Sequence, residues 1–113
     1  MSKKFACKRG DLEPALLVEL TSNRVPLDVS AAIGVKFTMT DNAATPTVIT
    51  GNGVIEDDGS VEKRGWVSYP WVAGDTDVVG LYQGEIELEW SAGRVQSFPA
   101  EGYLTVKITE DLD

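Results

Sequence analysis

The sequence predicts an all-β fold, an antiparallel β-sandwich of about seven to nine strands. Side chains alternate between apolar and polar along Val35-Lys36-Phe37-Thr38-Met39-Thr40 and again along Leu81 to Trp90, the pattern of strands with one dry and one wet face. Clusters of Gly, Asp, Asn, Ser and Pro break the chain into short apolar runs, as expected where strands are joined by turns. Gly80-Leu81-Tyr82, preceded by Asp77, stands at the entry of the longest run. That is the sequence shape of a tyrosine corner, in which the phenol hydroxyl ties back to upstream backbone. An up-and-down barrel is the topological alternative.

Phe5 to Arg9 reads as a first strand, with Cys7 beside Phe5. Ala15 to Leu20 follows as a core strand with Leu16, Val18 and Leu20 on one face. Val25-Pro26-Leu27-Asp28-Val29 contains a proline, which lacks a ladder donor, and reads as a turn and a short edge segment. Asp28 to Gly34 has room for one helical turn at most. Val35, Phe37 and Met39 point inward from the next strand. Asp41 to Pro46 is a loop, and Thr47-Val48-Ile49-Thr50 is a β-branched strand stopped by Gly51-Asn52-Gly53. Val54-Ile55 offers a further short strand.

Asp57-Asp58-Gly59-Ser60 has tight-turn chemistry, since Asp-Gly readily supplies positive φ angles. Trp66-Val67-Ser68-Tyr69 is the following strand, ended by Pro70. In the long run, Tyr82, Gly84, Ile86, Leu88 and Trp90 alternate with Leu81, Gln83, Glu85, Glu87 and Glu89. Ser91-Ala92-Gly93-Arg94 turns the chain into Val95 to Phe98 as an adjacent antiparallel pair. Leu104-Thr105-Val106-Lys107-Ile108 closes the fold with Leu104, Val106 and Ile108 inward.

A length of 113 residues suits one domain, 1–113, and leaves no room for a second. Ten basic against 18 acidic residues give a net charge of −8, which repels nucleic-acid phosphates and anionic lipid and argues against both as partners. The charge is lopsided: Lys3, Lys4, Lys8 and Arg9 cluster near the N-terminus, and Glu101, Glu110, Asp111 and Asp113 near the C-terminus. A single cysteine cannot form an intramolecular disulfide, so packing must supply the stability, consistent with synthesis in a reducing cytoplasm. No signal-peptide core and no run near the ~20 apolar residues of a spanning helix is expected from this sequence.

Histidine is absent, which removes the commonest general base and the commonest zinc ligand. No catalytic residue, metal ligand or cofactor-binding motif is expected. Glu85, Glu87 and Glu89 could in principle serve glycosidase chemistry, but an exposed strand face offers nothing to raise a carboxyl pKa. They read as a solvated face. Asp75-Thr76-Asp77 lacks the downstream ligand ladder and bidentate glutamate of an EF-hand loop, and both it and Asp57-Asp58-Gly59 read as turns. Arg9-Gly10-Asp11 reads as a strand-terminating turn. Trp66, Trp71 and Trp90 are the candidate contact residues, because aromatic side chains bring large area at low entropy cost.

Several motifs recur in a familiar order. Lys8-Arg9-Gly10-Asp11 precedes Leu16-Leu17-Val18-Glu19-Leu20, and Val25-Pro26-Leu27-Asp28-Val29 leads to Val35-Lys36-Phe37-Thr38-Met39. Val67-Ser68-Tyr69-Pro70-Trp71 and the stretch Ala73 to Tyr82 follow, then Gly93 to Pro99 and Gly102 to Ile108. Over nearly its whole length the chain resembles the immunoglobulin-like domain of tailed-phage virion proteins, including the N-terminal domain of baseplate upper proteins. Gly84 stands where antibody-type domains carry a cysteine, and Asp77 precedes Tyr82 by one position more than in those domains. Both differences point to a related sandwich, not an antibody domain.

The resemblance implies an immunoglobulin-like antiparallel β-sandwich with Asp77, Gly80 and Tyr82 in its tyrosine corner. It further implies a non-enzymatic structural part of a bacteriophage virion, in the tail or baseplate or on the capsid as decoration, made in the host bacterial cytoplasm. The expected partners are other virion proteins, with homo-oligomers arising through particle symmetry. The terminal strands Phe5 to Arg9 and Leu104 to Ile108 would dock by edge pairing or apolar packing. The alternative is a carbohydrate-binding module that uses Trp66, Trp71 or Trp90. An enzyme has the least support, because no acid, base and nucleophile converge.

Overall fold

In the computed structural model, residues 4–99 and 103–110 are described. Lys3, Glu101, Gly102, Asp111 and Asp113, which entered the charge and motif readings, lie outside the described residues. The fold is all-β. The strands are β1 (Lys4–Lys8), β2 (Leu16–Glu19), β3 (Thr21–Ser22), β4 (Val25–Pro26), β5 (Gly34–Thr40), β6 (Val48–Asn52), β7 (Val54–Ile55), β8 (Trp66–Tyr69), β9 (Gly80–Ser91), β10 (Arg94–Phe98) and β11 (Leu104–Thr109).

A six-stranded sheet has the order β1-β11-β9-β5-β6, with β10 also paired to β9. A three-stranded sheet has the order β2-β8-β7, and β3 and β4 form a ribbon. In the large sheet β1 joins β11 in parallel, while the other pairs are antiparallel. β9 is long enough to be flanked on one side by β5 and on the other by two strands in succession. Leu104 to Ile108 pair with Gly84 to Gly80, and Arg94 to Phe98 pair with Ser91 to Ile86. Of the two expected docking modes, edge pairing by β11 needs correcting; apolar packing is untouched. β11 is paired on both sides, so among the described residues β1 alone of the two has an unpaired edge.

The two larger sheets pack face to face in the manner of a sandwich, not a closed barrel. Two-residue alternation dictates what fills the space between them. Leu16, Val18, Val67 and Tyr69 come from the small sheet, and Val35, Phe37, Met39, Tyr82, Ile86, Leu88, Leu104, Val106 and Ile108 from the large one, all buried. Phe37 meets Tyr69 across the layers with ring centroids 4.9 Å apart. Each such buried side chain contributes about 1.5–3 kcal/mol. On the wet side, the Thr38 and Thr50 hydroxyls lie 3.0 Å apart across β5 and β6, a stabilising cross-strand pair.

Gly51-Asn52-Gly53 does not stop the strand before it: β6 continues through Asn52. The glycines serve close approach instead. A Cβ on Gly51 would stand 2.8 Å from the Tyr69 hydroxyl, and one on Gly53 2.6 Å from the Ser68 carbonyl oxygen. Gly53 is where the chain leaves the large sheet for the small one. Its N–H donates to Val35 O at 2.9 Å as it crosses. The stretch Asp28 to Gly34 makes a single turn closed by Ala32 N–H donating to Val29 O.

Candidate functional site

Of the three tryptophans expected at a contact surface, Trp71 is misplaced by that reading. It is only 6% exposed and closes one end of the core. The period that turns Val67 and Tyr69 inward carries past Pro70 to Trp71. Its ring lies 5.3 Å from Tyr69 and 5.9 Å from Phe37, both edge-on, and 5.7 Å from Phe5, arrangements that aromatic quadrupoles favour. The indole N–H is buried and has no acceptor among the described residues. Trp66 is half-buried on the outer side of the small sheet, opposite Glu19. Trp90, also half-buried, packs against the core margin from β9 and donates its Nε1–H to Gln96 Oε1 at 2.9 Å. The rings therefore do not form one stacking platform.

At the entry of β9, the Tyr82 hydroxyl donates to Val78 O at 2.7 Å. Burial raises its pKa, and the charge of Asp41 adds to the effect. Asp77 takes no part in this bond; its N–H donates to Gly74 O. A Cβ on Gly80 would lie 3.5 Å from Tyr82 Cε1, an ordinary contact, so packing does not demand a glycine there. A second tyrosine tie was not legible: Tyr69 donates to Asp75 Oδ2 at 2.6 Å, and the same oxygen accepts from Val72 N–H at 2.9 Å. Burial, then the bond to Asp75 and its charge, drives the Tyr69 pKa upward.

Asp57 is more than a turn former. At 5% exposure its carboxylate accepts from Val29 N–H and Gly65 N–H through Oδ2, and from Gly59 N–H through Oδ1, each at 2.9 Å. Burial alone would raise its pKa, but these three donors and the charge of Arg64 outweigh that, and the carboxyl lies below its ordinary value. Gly65 is required at this hub. Its φ is +85°, and a Cβ would meet the Leu20 carbonyl oxygen at 2.6 Å. The hub pins the β7–β8 connection to the segment ahead of β5.

Cys7 is half-buried on β1, and burial followed by the charge of Asp11 raises its thiol pKa, the opposite of what a nucleophile needs. Arg9-Gly10-Asp11 forms a turn closed by Asp11 N–H donating to Lys8 O, and Arg9 pairs with Glu110 at 3.1 Å. The Thr76 hydroxyl donates to Asp11 O at 3.0 Å. Among the described residues, no three His, Cys, Asp or Glu side chains gather as metal ligands would.

The outer face of the large sheet is the most developed surface. At one end, Ala6, Val79 and Leu81 line an apolar groove of about 740 Å³, bordered by Lys4, Lys107 and Glu110. At the other end, Glu85, Glu87 and Glu89 run along β9, beside Lys36 and the exposed Val95. Lys36 stands beside Glu87 in the β5–β9 register, and Arg9 pairs with Glu110 near the groove. No protein-family model matches this sequence, and no curated protein matches it.

Proposed function

We propose that this chain is an immunoglobulin-like β-sandwich that serves as a non-enzymatic structural subunit of a tailed-bacteriophage virion. Its place is in the tail or baseplate or on the head surface, reached after synthesis in the host cytoplasm, and it assembles through protein–protein contacts. The strand order is the observation that carries the fold half of this reading. A β1-β11-β9-β5-β6 sheet with a parallel β1–β11 edge faces a β2-β8-β7 sheet, and a tyrosine on β9 ties back to the loop before it.

The functional half rests on the sequence resemblance and on the kind of surface the sandwich offers. An apolar groove and a strand edged with exposed glutamates suit contact with protein. Repetition on a symmetric particle turns modest contacts into durable attachment. The carbohydrate-binding alternative loses Trp71 to the core, while Trp66 and Trp90 lie on different sheets.

Particles purified by density gradient from a phage that encodes this chain are expected to contain it at a fixed, symmetry-related copy number by quantitative mass spectrometry. A map of the particle should then place the sandwich against another virion protein. Particles that lack the chain, or hold only traces, would overturn the reading. Glycan-array binding abolished by Trp66→Ala or Trp90→Ala would replace it with the carbohydrate module.

A further inference from the structure

We infer that the free edge of β1 takes up an extended segment of another protein as an added strand, one that carries two carboxylates four positions apart with apolar side chains between them. The inference names the kind of partner for the assembly role above and rests on that reading for its biological use. Its physical basis is the edge itself.

Arg9 N–H donates to Thr109 O at 2.7 Å, which fixes the phase of the parallel β1–β11 ladder. Phe5 and Cys7 turn their backbone groups to β11, and Lys4, Ala6 and Lys8 turn theirs to the open side. Lys8 O accepts from Asp11 N–H at 3.1 Å. Lys4 N–H and C=O, Ala6 N–H and C=O and Lys8 N–H remain, with no strand beside them among the described residues. Such a row is a template for a further strand.

A hollow lies on each face of the sheet at this edge. Between the layers, where β1 and β2 form the open side of the sandwich, Phe5, Leu16, Val18 and Leu104 line a slot of about 100 Å³. On the outer face, exposed Ala6 leaves a gap between Lys4 and Lys8 that opens into the 740 Å³ groove toward Leu81. An added strand sends successive side chains to opposite faces, so the residue beside Phe5 enters the slot and the residue beside Ala6 enters the groove. A helix, apolar along one stripe, fills only one of the two.

Charge selects the sequence of that strand. Lys4 and Lys8 stand on the outer side of β1, with Lys107 next to Ala6. Glu110 at the groove's border is paired with Arg9 at 3.1 Å, and Asp11 lies in the turn past the strand's end. The outer row is thus cationic in a chain of net charge −8, and it calls for carboxylates opposite Lys4 and Lys8. A second copy does not supply them. Two β1 edges joined about a two-fold axis at Ala6 set Lys4 against Lys8 twice, on top of the repulsion between two acidic chains.

Titration of the ¹⁵N-labelled whole chain with the blocked peptide acetyl-SEVYVES-amide in about 20 mM NaCl tests this; the peptide reads the same both ways, so no strand direction is assumed. A Kd on the order of 100 μM is expected, with amide exchange at Ala6 and Lys8 slowed at least tenfold at saturation. Ala6→Pro removes a donor that faces away from β11 and should weaken binding at least tenfold with an unchanged melt. Lys4→Glu with Lys8→Glu should weaken it about tenfold, and acetyl-SKVYVKS-amide should bind that variant within about threefold of the parent pair, a rescue that damage to the fold would not produce. If Ala6→Pro melts early, the charge-swapped pair decides alone.

No binding at about 1 mM peptide overturns the inference, as does binding that neither protects Ala6 N–H nor responds to the charge swap. Protection of Ala6 N–H in the free chain that disappears on removing residues 111–113 makes the chain's own end the occupant and rejects another protein. Protection that grows with chain concentration assigns the edge to a second copy and rejects it equally. Peptide capture by a chain that particles lack upholds the edge and sinks only the virion reading; particles that hold the chain, with no capture, do the reverse.

Discussion

β11 and β10 lie along the same side of the same strand, both antiparallel to it, yet they differ in nearly everything else. β11 buries Leu104, Val106 and Ile108, whereas Arg94, Val95, Gln96 and Ser97 of β10 are all exposed and only Phe98 is buried. Backbone pairing is present in both. The difference is which side chains face the opposite layer: Val95 and Ser97 stand beside Glu89 and Glu87 on the outward side of the sheet, and of β10 only Phe98 enters the core. The small sheet has strands of four, four and two residues and cannot cover the full length of β9. Pairing satisfies backbone groups, and a facing sheet is what removes side chains from water. Stability therefore concentrates on the inward side of β9, buried from Tyr82 through Leu88, and surface available for contact lies on its outward side.

Substitutions along this axis would sharpen the comparison or break it. Phe37→Ala, at the centre of the covered half, is expected to cost about 4 kcal/mol in urea unfolding; a loss below about 1 kcal/mol would mean the layers are not packed as described. Asp57→Ala strands the buried donors Val29 N–H and Gly65 N–H and should cost about 3 kcal/mol.

Asp57 also predicts a pH dependence. Because its folded pKa is lowered, its stabilisation is complete above the unfolded value of about 3.9 and is lost as pH falls through the lower folded value. Asp28, Asp41 and Asp58 are lowered by local hydrogen bonds as well, so the Asp57→Asn variant is needed to isolate it. Its stability should fall less steeply than the parent's below about pH 4. Parallel acid curves for the two proteins would remove the buried carboxylate from the account.

Val106→Ala on β11 should destabilise by about 2.5 kcal/mol. Tyr82→Phe removes the bond to Val78 O and should cost about 1 kcal/mol, read most clearly as faster amide exchange in the loop before β9. Val95→Ala on β10, chemically the same change as Val106→Ala, should fall within about 0.5 kcal/mol of the parent. Equal costs for the two valines would erase the distinction between the covered inner face and the open outer face.

The dry faces were legible wherever a strand alternated: Leu16 and Val18, Val35 to Met39, Tyr82 to Leu88, and Leu104 to Ile108 all point as the period requires. Misreadings fell where a residue's role depends on something distant in the chain. Gly51 and Gly53 looked like a stop because Tyr69 and Ser68, which approach them, are on another strand. Asp57 looked like a turn residue because one of its donors, Val29, lies 28 residues away. Trp71 looked like a surface ring until Phe5, Phe37 and Tyr69 surrounded it. Val78, the acceptor for Tyr82, carried no signal at all, since any residue supplies a carbonyl.

The chain alone determined which residues alternate and where it turns, and hence an all-β fold with a dry side to each strand, because those properties follow from local stereochemistry and side-chain type. Which strands are neighbours, how far one sheet covers the other and which aromatic rings end in the core were decided only by the tertiary arrangement. Those depend on contacts between segments remote in sequence, where burial is conferred by whatever packs opposite.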